Sequence, residues 1–182
     1  MAKRTAPPGL SPAEHFYSTV GMSTHFLPAA HGESLYDSIE LLAEAGFGGF
    51  ELVPADFQGV IGSPTTIRNV GLWPRTFSKR DRKRLRGALS PFNVVTIHAP
   101  HLGVNIASIN PGWREESRRL YFECMELAVD LGVTCVTFHH GGQTAGFIAP
   151  EEEITRHCVD FARQATKFAR QHDLVLGYEV GN

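Results

Sequence analysis

Two spacings of apolar residues alternate along the chain. Short apolar runs that stop at His, Pro or Gly read as buried strands, and longer stretches with an i, i+3, i+4, i+7 stripe read as amphipathic helices. The clearest strand is 94–97, Val-Val-Thr-Ile, which ends at His98 and Pro100. The same construction recurs at 133–138, ending in His139, and at 174–179, ending in Glu179. Two earlier strands are predicted at 17–26 and 49–53, the second stopped by Pro54. The first helix, 35–45, carries Leu35, Ile39, Leu42 and Ala43 on one stripe and ends at Gly46. Ser78 caps a second, 79–89. The third, about 113–131, has the stripe Leu120, Tyr121, Cys124, Leu127, Ala128 and Leu131, and Gly132 ends it. The fourth starts with Pro150 at its first helical position, sets Glu151, Glu152 and Glu153 at the positive end of its dipole, and buries Ile154, Cys158, Phe161, Ala165 and Phe168. His172 and Asp173 close it.

The order is therefore β-α-β-α-β-α-β-α-β, which implies a parallel sheet with right-handed crossovers. Residues 1–15, rich in Pro, Ala and basic residues, read as a loose N-terminal arm, and 16–182 as one domain. The stretch 55–75 is long and rich in Gly, Pro, Thr and Asn, which marks it as a functional loop or one with short extra elements. Five strands suit a doubly wound sheet in length, but no Gly-rich phosphate loop follows the first strand. Gly46-Phe47-Gly48-Gly49 follows a helix instead, so it is no nucleotide motif.

Composition narrows the picture mainly by exclusion. A net charge of −2 over 182 residues gives no global bias toward nucleic acid or anionic membrane. The one basic run, Lys79 to Arg86, lies on the second helix and reads as its solvated face. No apolar run has the ~18 residues a membrane helix needs, and no apolar segment follows the basic N-terminus as a secretory signal would. Cys124, Cys135 and Cys158 are odd in number and widely spaced, as free thiols in a reducing compartment. A cytoplasmic location is the expectation.

Chemistry is expected where strands end, because parallel α/β folds place it there. His98, His139 and Glu179 share that context. Strands in register would bring all three to one rim, and imidazoles with a carboxylate suit zinc, manganese or iron. Glu179 could instead abstract a proton next to a carbonyl. His101 and His140 are candidates for binding substrate or orienting the ligands. His25, at the end of the first strand, faces the same rim or solvent. Glu51 lies inside the second strand, either at the rim or outward against a helix cation. His157 and His172 are assigned to the surface. Trp73 is a possible lid residue and Trp113 a helix-start packing residue.

The motifs Ile97-His98-Ala99-Pro100-His101-Leu102 with Asn105-Ile106-Ala107-Ser108, Phe138-His139-His140-Gly141-Gly142 and Tyr178-Glu179-Val180-Gly181-Asn182 resemble the xylose isomerase-like TIM barrels. These include sugar phosphate isomerases and epimerases and the endonuclease IV-type AP endonucleases. Gly46 to Leu52 is similar to the family's second strand, and the resemblance runs from about residue 17 to 182. It implies an α/β fold of the (β/α)8 TIM-barrel type, with only about five strands and four helices present, a partial barrel. Complete barrels typically run to ~250 residues. It also implies roles. In the endonuclease branch the histidines of strands three and four hold zinc, which points to His98 and His139. In both branches the strand-five glutamate, Glu179, is a metal ligand. In the isomerase branch it also moves a proton between sugar carbons beside a manganese-type ion, and His98 would contact substrate.

Three expectations follow. The first is an isomerase or epimerase acting on a small sugar or sugar phosphate with a divalent metal, Zn or Mn, in which Glu179 is acid and base. The second is a zinc phosphodiesterase acting on abasic DNA. The third is non-enzymatic: a truncated remnant, or a half-barrel that pairs with a second half-barrel or with its own copies. Family members complete the site with Asp, His and Glu from strands six to eight, so the chain is expected to be a fragment, a split barrel or a truncation. A membrane partner is not expected.

Overall fold

The computed structural model describes residues 21–23, 35–53, 74–100, 104–139 and 150–179. Within them five strands form one sheet: β1 (Gly21–Ser23), β2 (Gly49–Leu52), β3 (Val94–His98), β4 (Cys135–His139) and β5 (Val175–Glu179). Every pairing is parallel, and the spatial order is β1-β2-β3-β4-β5. Between the strands lie α1 (Leu35–Glu44), α2 (Lys79–Ala88), α3 (Pro111–Leu131) and α4 (Glu151–Gln171), with a short 3-10 turn at Pro74–Thr76. A doubly wound sheet reverses its strand order at a switch point. This one does not reverse, which is the winding of a (β/α) barrel, here in partial form.

Helix ends follow from local chemistry. The Ser78 hydroxyl accepts from the Asp81 N–H while the Asp81 carboxylate accepts from the Ser78 N–H, a capping box that starts α2. The Asn110 side chain accepts from the N–H groups of Gly112 and Trp113, and Pro111 opens α3 where its missing N–H costs nothing. Gly46 and Gly132 end α1 and α3 at φ 81° and 74°, a region glycine enters without a Cβ penalty. Pro150 is the N-cap of α4 rather than its first helical residue, one position from the expectation.

Register and the period-two alternation of strands sort the side chains onto two faces. One row is Leu52, Ile97, Val136 and Leu176, and Phe138 aligns with Tyr178 two residues further on. Leu52, Ile97, Val136 and Phe138 are fully buried in the core with Leu120, Tyr121, Cys124 and Phe161 of the helices. Tyr121, Phe138 and Phe161 meet with ring centroids 5.0–5.9 Å apart. The alternate residues face the other way. Among them, on this concave face, Val94 and Val175, at the strand starts, are 57% and 62% exposed, and Thr96, Cys135 and Thr137 are half-buried.

Two surface assignments change. His157 is buried, because α4 presents the line His157, Phe161, Ala165 and Ala169 to the core, leaving Ile154, Cys158 and Phe168 half-buried. The His157 carbonyl there accepts a hydrogen bond from Arg118 of α3. The basic run of α2 is only partly a solvated face. Arg82 pairs with Asp130 of α3 at 2.6 Å and donates to the carbonyls of Phe77 and Pro74, and the Arg84 guanidinium sits 3.9 Å from the centre of the Tyr36 ring. These arginines join α2 to its neighbours. No helix among the described residues is long and apolar enough to cross a membrane, and Cys124, Cys135 and Cys158 are free thiols.

Candidate metal centre

His98, His139 and Glu179 are the last residues of β3, β4 and β5. Each strand is apolar on its helix-facing side up to its end, so the core fixes where the last side chain is delivered. His139 and Glu179 are register partners. His98 aligns with Thr137 and Gly177, one layer below them on the same concave face. A Cβ at Gly177 would stand 3.3 Å from the Thr137 hydroxyl, tighter than ordinary contact, so glycine keeps that layer clear beneath the cluster.

The three side chains converge. His98 Nε2 lies 3.1 Å from His139 Nε2 and 3.3 Å from Glu179 Oε2, and His139 Nε2 lies 3.5 Å from the same oxygen. The imidazole centroids are 5.0 Å apart. His98 is almost wholly buried, His139 half-buried, and the Glu179 side chain 54% exposed, so the cluster opens outward on the glutamate side.

Hydrogen bonding fixes what His98 offers. His98 Nδ1–H donates to the Ala99 carbonyl at 2.8 Å, which leaves a lone pair on Nε2 pointing into the cluster. Carboxylate oxygens only accept. His98 Nε2 and Glu179 Oε2 therefore face each other as acceptors and repel unless a proton or a cation lies between them; His139 Nε2 donates to them in one tautomer and in the other joins them on a divalent cation. Three donors on tetrahedral zinc stand about 3.3 Å apart, and neighbouring donors of an octahedral ion about 3.0 Å. The observed 3.1–3.5 Å fits either. Among the described residues this is the one His/Cys/Asp/Glu group with metal-ligand spacing.

Two supports hold the rim. The Ala99 N–H donates to the Thr137 carbonyl at 2.8 Å, which carries the β3–β4 pairing one residue past His98. The Tyr121 hydroxyl, on α3, donates to the His139 carbonyl at 3.0 Å. The apolar stripe had placed Tyr121 only as packing. The available signal was its chemistry: a buried tyrosine needs a partner for its hydroxyl, as a leucine would not.

The other candidates are placed less fully. Glu51 is in register with Thr96 and so lies on the concave face, but two residues before the end of β3, about 7 Å below His98 along the strand. It is not in the cluster. His25, His101 and His140 lie outside the described residues, as do the arm 1–15, the loop 55–73 and Trp73.

Residues 39–182 match the family model described as Xylose isomerase-like TIM barrel. No curated protein sequence matches the chain. Among solved structures, a D-tagatose 3-epimerase-like protein is 21% identical with a TM-score of 0.66, over 87% of this chain and 51% of its own. The D-psicose 3-epimerase of Clostridium cellulolyticum, solved with D-tagatose, is 15% identical with a TM-score of 0.67, over 89% and 52%. A Thermus thermophilus protein soaked with ZnCl2 is 17% identical with a TM-score of 0.54, over 87% and 54%. At these identities the likeness is one of fold. The chain spans about half the length of the structures it matches.

Proposed function

The chain belongs to the xylose isomerase-like TIM barrel family, and from that premise we propose that it forms the β1–β5 part of a divalent-metal-assisted sugar isomerase or epimerase. The observation that carries this reading is the convergence of His98, His139 and Glu179. The epimerases among proteins of the same fold support the substrate class, a small sugar or sugar phosphate.

His98, His139 and Glu179 would hold the ion, zinc or manganese. Once bound, it supplies a Lewis acid that polarises a carbonyl or hydroxyl oxygen. Glu179 turns Oε2 toward the imidazoles. A carboxylate has a second oxygen, and on this half-exposed side chain it can take a proton from a carbon beside a carbonyl and return it. The bond from His98 Nδ1–H to the Ala99 carbonyl keeps that imidazole in one tautomer throughout. Glu51, from its deeper layer, and His25, His101 and His140 would contact substrate hydroxyls. Further β/α units would supply the opposite wall, from the same polypeptide, a second half-barrel or another copy. The half-length matches and the exposed Val94 and Val175 support that completion.

The test is exchange of sugar carbon-bound hydrogen with deuterated water, with Mn2+ added, using ketohexoses. Metal-dependent exchange that Glu179→Gln lowers at least ~100-fold supports the reading. Exchange that survives in Glu179→Gln overturns the acid–base role.

One observation favours a second reading. His98 Nε2 stands among the prospective ligands, not apart from them, and that ligand set is the one the resemblance attaches to AP endonucleases. A zinc phosphodiesterase of abasic DNA would nick a duplex carrying an abasic site, with the loss of nicking in His98→Ala. Metal binding with neither activity would favour the non-enzymatic reading.

A further inference from the structure

Tyr121 reaches from the helical layer to the backbone of a cluster residue. Its ring lies on the convex side of the sheet, fully buried between Phe138 and Phe161. Its hydroxyl donates to the carbonyl of His139, the last residue of β4, at 3.0 Å. Burial pushes the phenol's pKa upward, so it stays a neutral donor across ordinary pH.

That carbonyl is at a sensitive place. His139 is the last residue of β4, in register with Glu179 of β5. The carbonyl carbon and Cβ share the His139 Cα, so a displacement of the carbonyl that shifts Cα also shifts the imidazole nitrogen at the far end of the side chain. The His139 Nε2 position matters to a few tenths of an ångström, because it must meet both His98 and Glu179. The cluster has its own hydrogen-bond anchor at His98, through the Ala99 carbonyl. At His139 the backbone carbonyl takes a bond from Tyr121.

We propose that Tyr121 is a positioning residue for the metal centre: from the opposite face of the sheet, its hydroxyl holds the His139 backbone in the place from which the side chain presents Nε2. This rests on the three-ligand reading. It adds that affinity at the concave site depends on one hydroxyl in the convex core, on a side chain that touches neither ion nor substrate.

The experiment is a Co2+ titration followed by visible absorption, on wild type, Tyr121→Phe and Phe161→Leu. Tyr121→Phe keeps the ring and removes only the hydroxyl. Phe161→Leu loosens the same aromatic cluster and keeps the hydroxyl. The expected result is a Co2+ affinity at least ~10-fold weaker in Tyr121→Phe, with altered absorption bands, as for other groups that orient metal ligands. Phe161→Leu should lower the unfolding temperature and leave Co2+ affinity within about twofold of wild type. Wild-type affinity in Tyr121→Phe, or an equal loss in both variants, overturns the proposal and leaves the ligand assignment intact. If wild type binds no Co2+, the ligand assignment fails, and the positioning role is read in the metal-free protein by 1H–15N spectra of the His139 imidazole. There a shifted or broadened His139 signal in Tyr121→Phe supports the role, and superimposable spectra overturn it.

Discussion

The two faces of the sheet are built from alternate residues of the same strands, yet they are held by different forces. On the convex face Leu52, Ile97, Val136 and Phe138 are fully buried in the hydrophobic core. On the concave face Val94 and Val175 stand more than half exposed, and the strand-end residues His98, His139 and Glu179 are polar. Each fully buried large apolar side chain contributes roughly 1.5–3 kcal/mol to folding. The concave residues contribute little to that core and converge two imidazoles and a carboxylate on one point. Stability therefore concentrates on one face and candidate chemistry on the other, and the period-two alternation of a strand lets one short segment serve both.

The largest effect belongs to the convex face. Phe138→Ala removes a ring packed against Tyr121 and Phe161 and should cost about 3–5 kcal/mol in equilibrium urea unfolding. A cost below about 1 kcal/mol would break the contrast between the faces. On the concave face Val175→Thr changes a side chain that is 62% exposed and should stay within about 0.5 kcal/mol of wild type in the same measurement. A large loss there would show that the concave face carries stability as well.

The smallest effect lies on neither face. Asp81, at the start of α2, is held below its ordinary carboxyl pKa of 3.8, mainly by hydrogen bonds from the side chain and backbone of Ser78. A lowered folded-state pKa means that its contribution is present above 3.8 and lost as pH falls through the lower value. Asp81→Asn should flatten that acid limb slightly when unfolding is followed from about pH 5 to about pH 2. An unchanged limb would remove Asp81 from the account.

Much of this division was legible in the sequence. The strand ends at His98, His139 and Glu179 were readable because an apolar run that stops at a polar residue fixes both the element and the last side chain's place. The six-residue stripe of α3 was readable for the same reason, since all six of its residues are buried. The deeper line of α4 was not. Histidine carries no hydropathy signal that separates a buried residue from a surface one, and His157 is buried by packing against α3. The arginines of α2 looked solvated because periodicity cannot show an Asp130 or a Tyr36 waiting on another helix. Glu51 was assigned to the rim or to the outside because register across strands is invisible in one chain. The structure places it on the concave face, one layer too deep for the cluster.

The account turns on whether three strand ends make one site. Equilibrium dialysis against Zn2+ with metal analysis, on wild type and on His98→Ala, His139→Ala and Glu179→Ala, asks this directly. The prediction is about one zinc per wild-type chain and a fall in affinity of at least ~10-fold in each variant, with the variants still folded. Equally little zinc on wild type and all three variants would contradict it.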